Sequence, residues 1–328
     1  MKKIANILIG SLVTVFLVWF LLKQISLREL QQIFSEIPLI FILLAFAAYV
    51  CSFVFRSLKF KILLGDLSFR ETFSIACVHN MMLNILPART GELYFVYLVK
   101  KRGLKGAKAA SALLISRIFD FISVAILFLA FYIFIDKVSI TIEGILHIIV
   151  FFVLLVIVCL FCVVYFGDFF FGIAKKLVSL FEIDKFKWVS FLLEKIEFLI
   201  KSFEIVKLHR KFFVVLLISL GVFASQLSMM YLLLIGMRVE LPFLSALLAL
   251  TMLFIFNIVP IQSLAGLGTF EGFWTFAFML VGLNKNLAIS SGFIQHILSI
   301  LFFLAVGFYG MMQLRLSRTA ALKGGACS

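Results

Sequence analysis

Asn84-Ile-Leu-Pro-Ala-Arg-Thr-Gly-Glu92 interrupts an apolar stretch that runs from Phe73 to Val99, and Asn257-Ile-Val-Pro-Ile-Gln-Ser-Leu-Ala-Gly-Leu-Gly-Thr-Phe-Glu271 interrupts another that runs from Phe243 to Leu283. Proline removes a helical N–H, and glycine accepts backbone angles that other residues avoid. Each stretch therefore reads as two short legs joined by a break. The leg from Glu92 to Val99, which ends at Lys100-Lys101-Arg102, rises only about 12 Å against a hydrocarbon core of about 30 Å. It cannot cross, so region 73–99 is expected to be a re-entrant hairpin. Region 243–283 has a longer leading leg. For that region a hairpin and a double crossing both remain open.

Around these breaks lie six uninterrupted apolar segments: Ile4–Leu22, Pro38–Phe55, Ala109–Ile135, Gly144–Gly167, Phe212–Met237 and Leu287–Gln313. The 328 residues are 64% hydrophobic and 14% charged, with mean hydropathy +1.20. Soluble domains carry about a quarter charged residues, so a soluble enzyme is excluded. The expected fold is an all-α polytopic membrane protein of six spans plus two broken or re-entrant hairpins, arranged as inverted repeats. The Lys2-Lys3 start resembles a signal peptide, but the run behind it is long and no small-x-small cleavage site follows, so it reads as a retained span.

Thirty Lys and Arg against 16 Asp and Glu give a net charge of +14. With the N-terminus inside, 23 of those cations fall in the interior segments 1–3, 56–72, 100–108, 168–211 and 315–328, and five fall outside. Cytoplasmic loops concentrate Lys and Arg, which accounts for most of the excess without nucleic acid. Both termini are thus expected on the cytoplasmic side of a cell (inner) membrane. Segment 168–211 carries apolar residues at helical spacing opposite Glu194, Lys201 and Glu204, as an amphipathic helix on the leaflet would. A plain connector and a lipid sensor fit it equally. Ile25–Glu36 reads as a shorter interfacial helix.

A faint internal repeat divides the chain into halves 1–143 and 144–328. Asn84/Pro87 and Asn257/Pro260 are 173 residues apart, Glu92 and Glu271 are 179 apart, and Arg117 and Gln295 are 178 apart. Inverted halves of this kind flank the substrate site in many transporters.

Ionised groups at bilayer depth are costly and usually face a cavity or a partner. Arg89, Glu92, Arg117, Asp120 and Glu271 stand out. Arg89/Glu92 and Arg117/Asp120 are each three apart, a spacing that brings helical side chains together. Two readings fit: neutralised pairs that lock helices, or a polar site whose guanidinium forks match phosphate oxygens. The legs beginning near Gly91 and Gly268 would aim helix N-termini into the membrane, and Gly266 with Gly268 would let backbone approach a ligand. Glu92 and Glu271 either cap those N-termini or hold a proton or a cationic amine. Asn84 and Asn257 are placed to bond carbonyls freed by the prolines. Gln295-His296 is a candidate site wall.

Weaker features have plainer readings. His79 is expected to be hydrogen-bonded structure, and Cys159-Leu-Phe-Cys162 reads as packing rather than a redox pair. Ser68-Phe-Arg-Glu71 is a capping box. No Walker loop, dinucleotide fingerprint, nucleophile elbow or HExxH motif occurs. No enzyme activity, cofactor or metal is expected, and ATP-driven movement would need a separate partner.

Leu86-Pro-Ala-Arg-Thr-Gly-Glu92, Arg117-Ile-Phe-Asp120 and Gly266-Leu-Gly-Thr-Phe-Glu271 resemble the lysylphosphatidylglycerol synthase transmembrane family, also called flippase-like, over about Ile4 to Gln313. In bifunctional members of that family the membrane domain is thought to move aminoacylated phosphatidylglycerol between leaflets, and a separate soluble domain makes the lipid. Other members are tied to isoprenoid-linked sugars and hopanoids. The resemblance implies that Arg89, Glu92, Arg117, Asp120 and Glu271 are lipid-site residues. The chain ends shortly after its last span, so no synthase domain is expected in it. Where the family usually reads Pro-Gly-Gly-Leu-Gly, this chain has Leu264-Ala-Gly-Leu-Gly268.

The leading expectation is a translocase or lipid-binding transporter of an anionic, aminoacylated or isoprenoid phospholipid. The alternatives are an ion- or proton-coupled transporter of a small solute, or an accessory subunit of a partner enzyme that supplies or consumes the lipid.

Overall fold

The computed structural model describes residues 27–86, 90–135, 140–180, 189, 193, 197, 209–256 and 266–324. The expected span Ile4–Leu22, most of segment 168–211, and the centres of both breaks, including Arg89 and Asn257, lie outside the described residues. The described chain is helical: α1 (Leu27–Glu36), α2 (Leu39–Leu64), α3 (Phe69–Ile85), α4 (Gly91–Lys100), α5 (Gly106–Phe134), α6 (Ile140–Leu180), α7 (His209–Gly236), α8 (Phe243–Phe256), α9 (Thr269–Leu280) and α10 (Lys285–Gly324).

Local chemistry sets the ends of these helices. Ser68 and Glu71 form the anticipated capping box at the start of α3, with the Glu71 carboxylate accepting the Ser68 N–H at 3.0 Å. Leu86, the residue before Pro87, sits in extended backbone at φ −83°, ψ 133°, where the proline ring forces its neighbour. That ends α3.

Four described helices are long and apolar enough to cross a membrane: Leu39–Leu64, Gly106–Phe134, Lys211–Gly236 and Lys285–Arg315. They correspond to four of the expected spans. The remaining expected segment within the described chain, Gly144–Gly167, does not end where the sequence suggested. Phe169, Phe170, Phe171 and Ile173 follow without a proline, and α6 runs on to Leu180.

The legs of the first break are short. At 1.5 Å per residue, α3 and α4 span about 26 and 15 Å, below the hydrocarbon thickness. At the second break, α9 spans about 18 Å, and α8 is described as far as Phe256. Large apolar side chains left exposed, such as Leu39 and Leu43 on α2, Phe151 on α6 and Leu301 and Met312 on α10, form the surface a membrane-embedded bundle turns to lipid.

The two broken regions pack across the molecule. α3 lies against α10, and α8 lies against α5, so each leading leg rests on the last span of the other half. The other main contacts also occur in matching sets: α2 with α3 and α7 with α8, α4 with α5 and α9 with α10, and α2 with α7 at the centre. Small residues allow the close approaches. A Cβ on Gly310 would meet the Cys77 Cβ at 2.8 Å and the Ser74 carbonyl at 2.9 Å. Such small-residue contacts are how membrane helices gain packing energy without a hydrophobic drive.

Candidate functional site

The packing leaves a cavity of about 570 Å3 between the two broken regions. Every one of the described helices α2 to α10 contributes to its wall. Charged and polar groups come from Tyr49 and Arg56 on α2, Asn80 and Asn84 on α3, Glu92 on α4, Arg117 and Asp120 on α5, and His296 on α10. Phe152, Val156, Phe223, Met229 and Phe254 give the chamber apolar faces.

The acid–base partners differ from those the spacing suggested. Arg117 Nε pairs with Glu92 Oε1 at 3.2 Å, joining α5 to α4, and both side chains are about one-third exposed, at 33% and 31%. Asp120 pairs with Lys59, not with Arg117. The three-residue spacing of Arg117 and Asp120 is real, but partners on neighbouring helices take both groups. Pairing between helices relieves the same electrostatic cost and ties the bundle together.

Lys59 is completely buried. Its ammonium donates to Asp120 and, at 3.2 Å, to Ser219 Oγ. One side chain on α2 thereby fastens α5 and α7. The sequence reading ended the span at Phe55 and counted Arg56 and Lys59 in a cytoplasmic loop. That assignment is corrected: α2 continues to Leu64, and both cations sit within it, buried. A helical signal was present in Phe53, Phe60, Leu63 and Leu64, whose spacing carries the buried face through the two charges.

At the second break the backbone is held by glycine. Gly266 and Gly268 adopt φ +74° and +81°, the left-handed region that residues with a Cβ avoid. Gly266 also lines the chamber. Glu271, fully buried, accepts the Gly268 N–H at 2.6 Å and holds His296 Nδ1 at 2.7 Å. Its carboxylate thus occupies the N-terminus of α9, the capping role that was one of the two readings open for it. The His296 ring packs on Phe270, with centroids 4.6 Å apart.

Gln295 is also corrected. It is buried away from the chamber, with its amide nitrogen 3.5 Å from Met229 Sδ, and its neighbour His296 forms the wall instead. Asn84 lines the chamber, but its amide donates at 2.8 Å to the carbonyl of Asn80 inside α3, not to a carbonyl released by Pro87. Asn80 in turn donates to the Tyr49 hydroxyl at 3.0 Å. At the first break, Gly91 is needed for close approach: a Cβ there would lie 2.6 Å from the Met82 carbonyl carbon. His79 is buried between Phe60 and Phe95, and neither ring nitrogen has a hydrogen-bond partner. The hydrogen-bonded role expected for it is not met.

Helices long and apolar enough to cross a membrane, assembled around a charged internal chamber, define a multi-pass membrane protein. The chain belongs to the family described as the lysylphosphatidylglycerol synthase TM region, which matches residues 7–307. No curated protein matches it.

Proposed function

We propose that the protein is a membrane lipid translocase, or lipid-binding transporter, that passes a phospholipid's anionic head through the chamber between the two broken regions. The observation that carries this reading is the pairing of partly exposed Arg117 and Glu92 inside a cavity that also has apolar walls. A guanidinium held by one carboxylate can exchange that partner for a phosphate, since both anions fit its fork of donors. The apolar faces from Phe152 and Val156 on α6 suit acyl or isoprenoid chains. Membership of the family supports a role in lipid metabolism or translocation.

In this account the chain does no covalent chemistry, and a separate enzyme supplies or consumes the lipid. The protein sits in the cell (inner) membrane with both termini in the cytoplasm, the orientation that the distribution of Lys and Arg favours. Arg89, Glu92, Arg117 and Asp120 serve the headgroup, and Glu271 acts through His296 and the Gly268 turn.

Leaflet exchange of a fluorescent phosphatidylglycerol in proteoliposomes, read by dithionite quenching, tests the proposal. The wild type is expected to move label from the inner leaflet, and Arg117→Gln to fall to the rate of protein-free vesicles. Exchange by Arg117→Gln at the wild-type rate would rule the mechanism out. Strong labelling of cysteines placed at 88–92 by water-soluble reagents, with no lipid exchange, would favour the small-solute alternative.

A further inference from the structure

Arg56 is 8% exposed and lines the chamber, yet no described residue accepts a hydrogen bond from its guanidinium and no described carboxylate forms an ion pair with it. Its Nε is buried with no partner. The Phe53 ring lies 5.9 Å from the guanidinium carbon, and the nearby Asp120 carboxylate, already held by Lys59, interacts with it without direct contact. The cations beside it are already matched: Lys59 holds Asp120, and Arg117 holds Glu92. Glu271 is engaged by Gly268 and His296 on the other wall. Among the described side chains of the first half, Arg56 and Arg117 on the chamber wall and Lys59 behind it therefore meet two carboxylates, Asp120 and Glu92.

Buried charge without a counter-ion is among the most costly arrangements a protein can hold. A second unfilled group lies on the opposite half: Ser299 Oγ on α10 is buried without a partner and lines the same chamber. With Arg117 Nε, which pairs with Glu92 by charge but makes no hydrogen bond, three unmet donors flank one cavity, whose volume lies within the range of small-ligand pockets.

We infer that Arg56 is the anchor for a phosphate-type oxoanion, which supplies the chamber's missing negative charge and bridges Arg56 on α2 to Ser299 on α10. The inference rests on the reading of the chamber as a headgroup site and adds the residue that fixes the anion. A phosphodiester within a lipid and a free phosphate share this chemistry. The planar guanidinium donates to two non-bridging oxygens of either, and the serine hydroxyl donates to one of the same oxygens.

The full chain is purified in neutral detergent, stripped of lipid, and offered phosphatidylglycerol, phosphatidylcholine or inorganic phosphate. Native mass spectrometry reads bound lipid, and thermal unfolding reads stability. Wild type is expected to retain phosphatidylglycerol over phosphatidylcholine, and Arg56→Gln to lose that binding about tenfold or more, the scale of a charged hydrogen bond.

Without lipid, Arg56→Gln should melt at or above the wild-type temperature, by about 2 °C where removal of the unpaired charge is felt. A purely structural cation would give a lower melting temperature. A fall of several degrees, or unchanged phosphatidylglycerol binding, would overturn the inference even if leaflet exchange proceeds through Arg117.

An independent arm uses wild-type protein. Phenylglyoxal modification of Arg56, mapped by peptide mass spectrometry against Arg102 as a reference, should slow with phosphatidylglycerol and not with phosphatidylcholine. Equal modification in the two lipids would contradict the assignment. Protection and stabilisation by inorganic phosphate alone would keep Arg56 as an anion anchor while overturning the lipid reading of the previous subsection.

Discussion

Glu92 and Glu271 stand 179 residues apart, each in the first turn of the short helix after its break, and each reaches the span that follows. Glu92 meets Arg117 at 3.2 Å, and Glu271 meets His296 at 2.7 Å. Arg117 and His296 are themselves 179 apart, so the two contacts recur at one spacing. The two pairs differ. The first is partly exposed to the chamber. The second is buried, and its acid closes the N-terminus of α9 over a glycine turn. At the spacing of the Asn-Ile-x-Pro motifs, the counterpart of Arg56 is Met229, which also lines the chamber. In the function proposed above, the first pair serves binding and the second serves structure.

Mutations at the two pairs should separate these roles. The largest loss of stability is expected at Lys59, which underlies the charged half: Lys59→Ala strands Asp120 in the interior and should cost about 3–5 kcal/mol. Thermal unfolding in detergent would read this loss, and adding Asp120→Asn should recover part of it.

Glu271→Ala comes next, at about 2–3 kcal/mol, because the Gly268 N–H and His296 both lose a buried charged acceptor. Gly91→Ala should cost about 1–3 kcal/mol, since its Cβ has to push α4 off the backbone of α3. Glu92→Gln should change stability by no more than about 0.5 kcal/mol, as expected for a partly exposed pair, while leaflet exchange drops sharply. If Glu92→Gln instead melts like Glu271→Ala and exchange survives in both, the division of labour between the copies is wrong.

The sequence made both breaks legible because proline, glycine and apolar length are local signals. The capping box at Ser68 and the end of α3 follow from the same kind of signal. The partners of the charges were not local. Arg117 and Asp120 satisfy a helical spacing rule, but the choice between a neighbour on the same helix and one on another helix depends on how α2, α4 and α5 pack. Arg56 and Lys59 were read as loop because a cation ordinarily marks the end of a span. Here α2 carries its charges inward, where Asp120 and Ser219 receive one of them. Matching Arg117 to Gln295 differs by one residue from the spacing at which the Glu92–Arg117 and Glu271–His296 pairs correspond. On a helix that single step separates a side chain packed on Met229 from one that walls the chamber.

The most direct test of the central claim is to find where a lipid's head lies. A phosphatidylglycerol analogue with a photoreactive group on its headgroup is incorporated with the protein into nanodiscs, and the cross-links are mapped by peptide mass spectrometry. The account predicts adducts on chamber residues around Arg56, Arg117 and Phe121. Adducts confined to lipid-facing positions such as Phe151, Leu217 and Leu301 would contradict it.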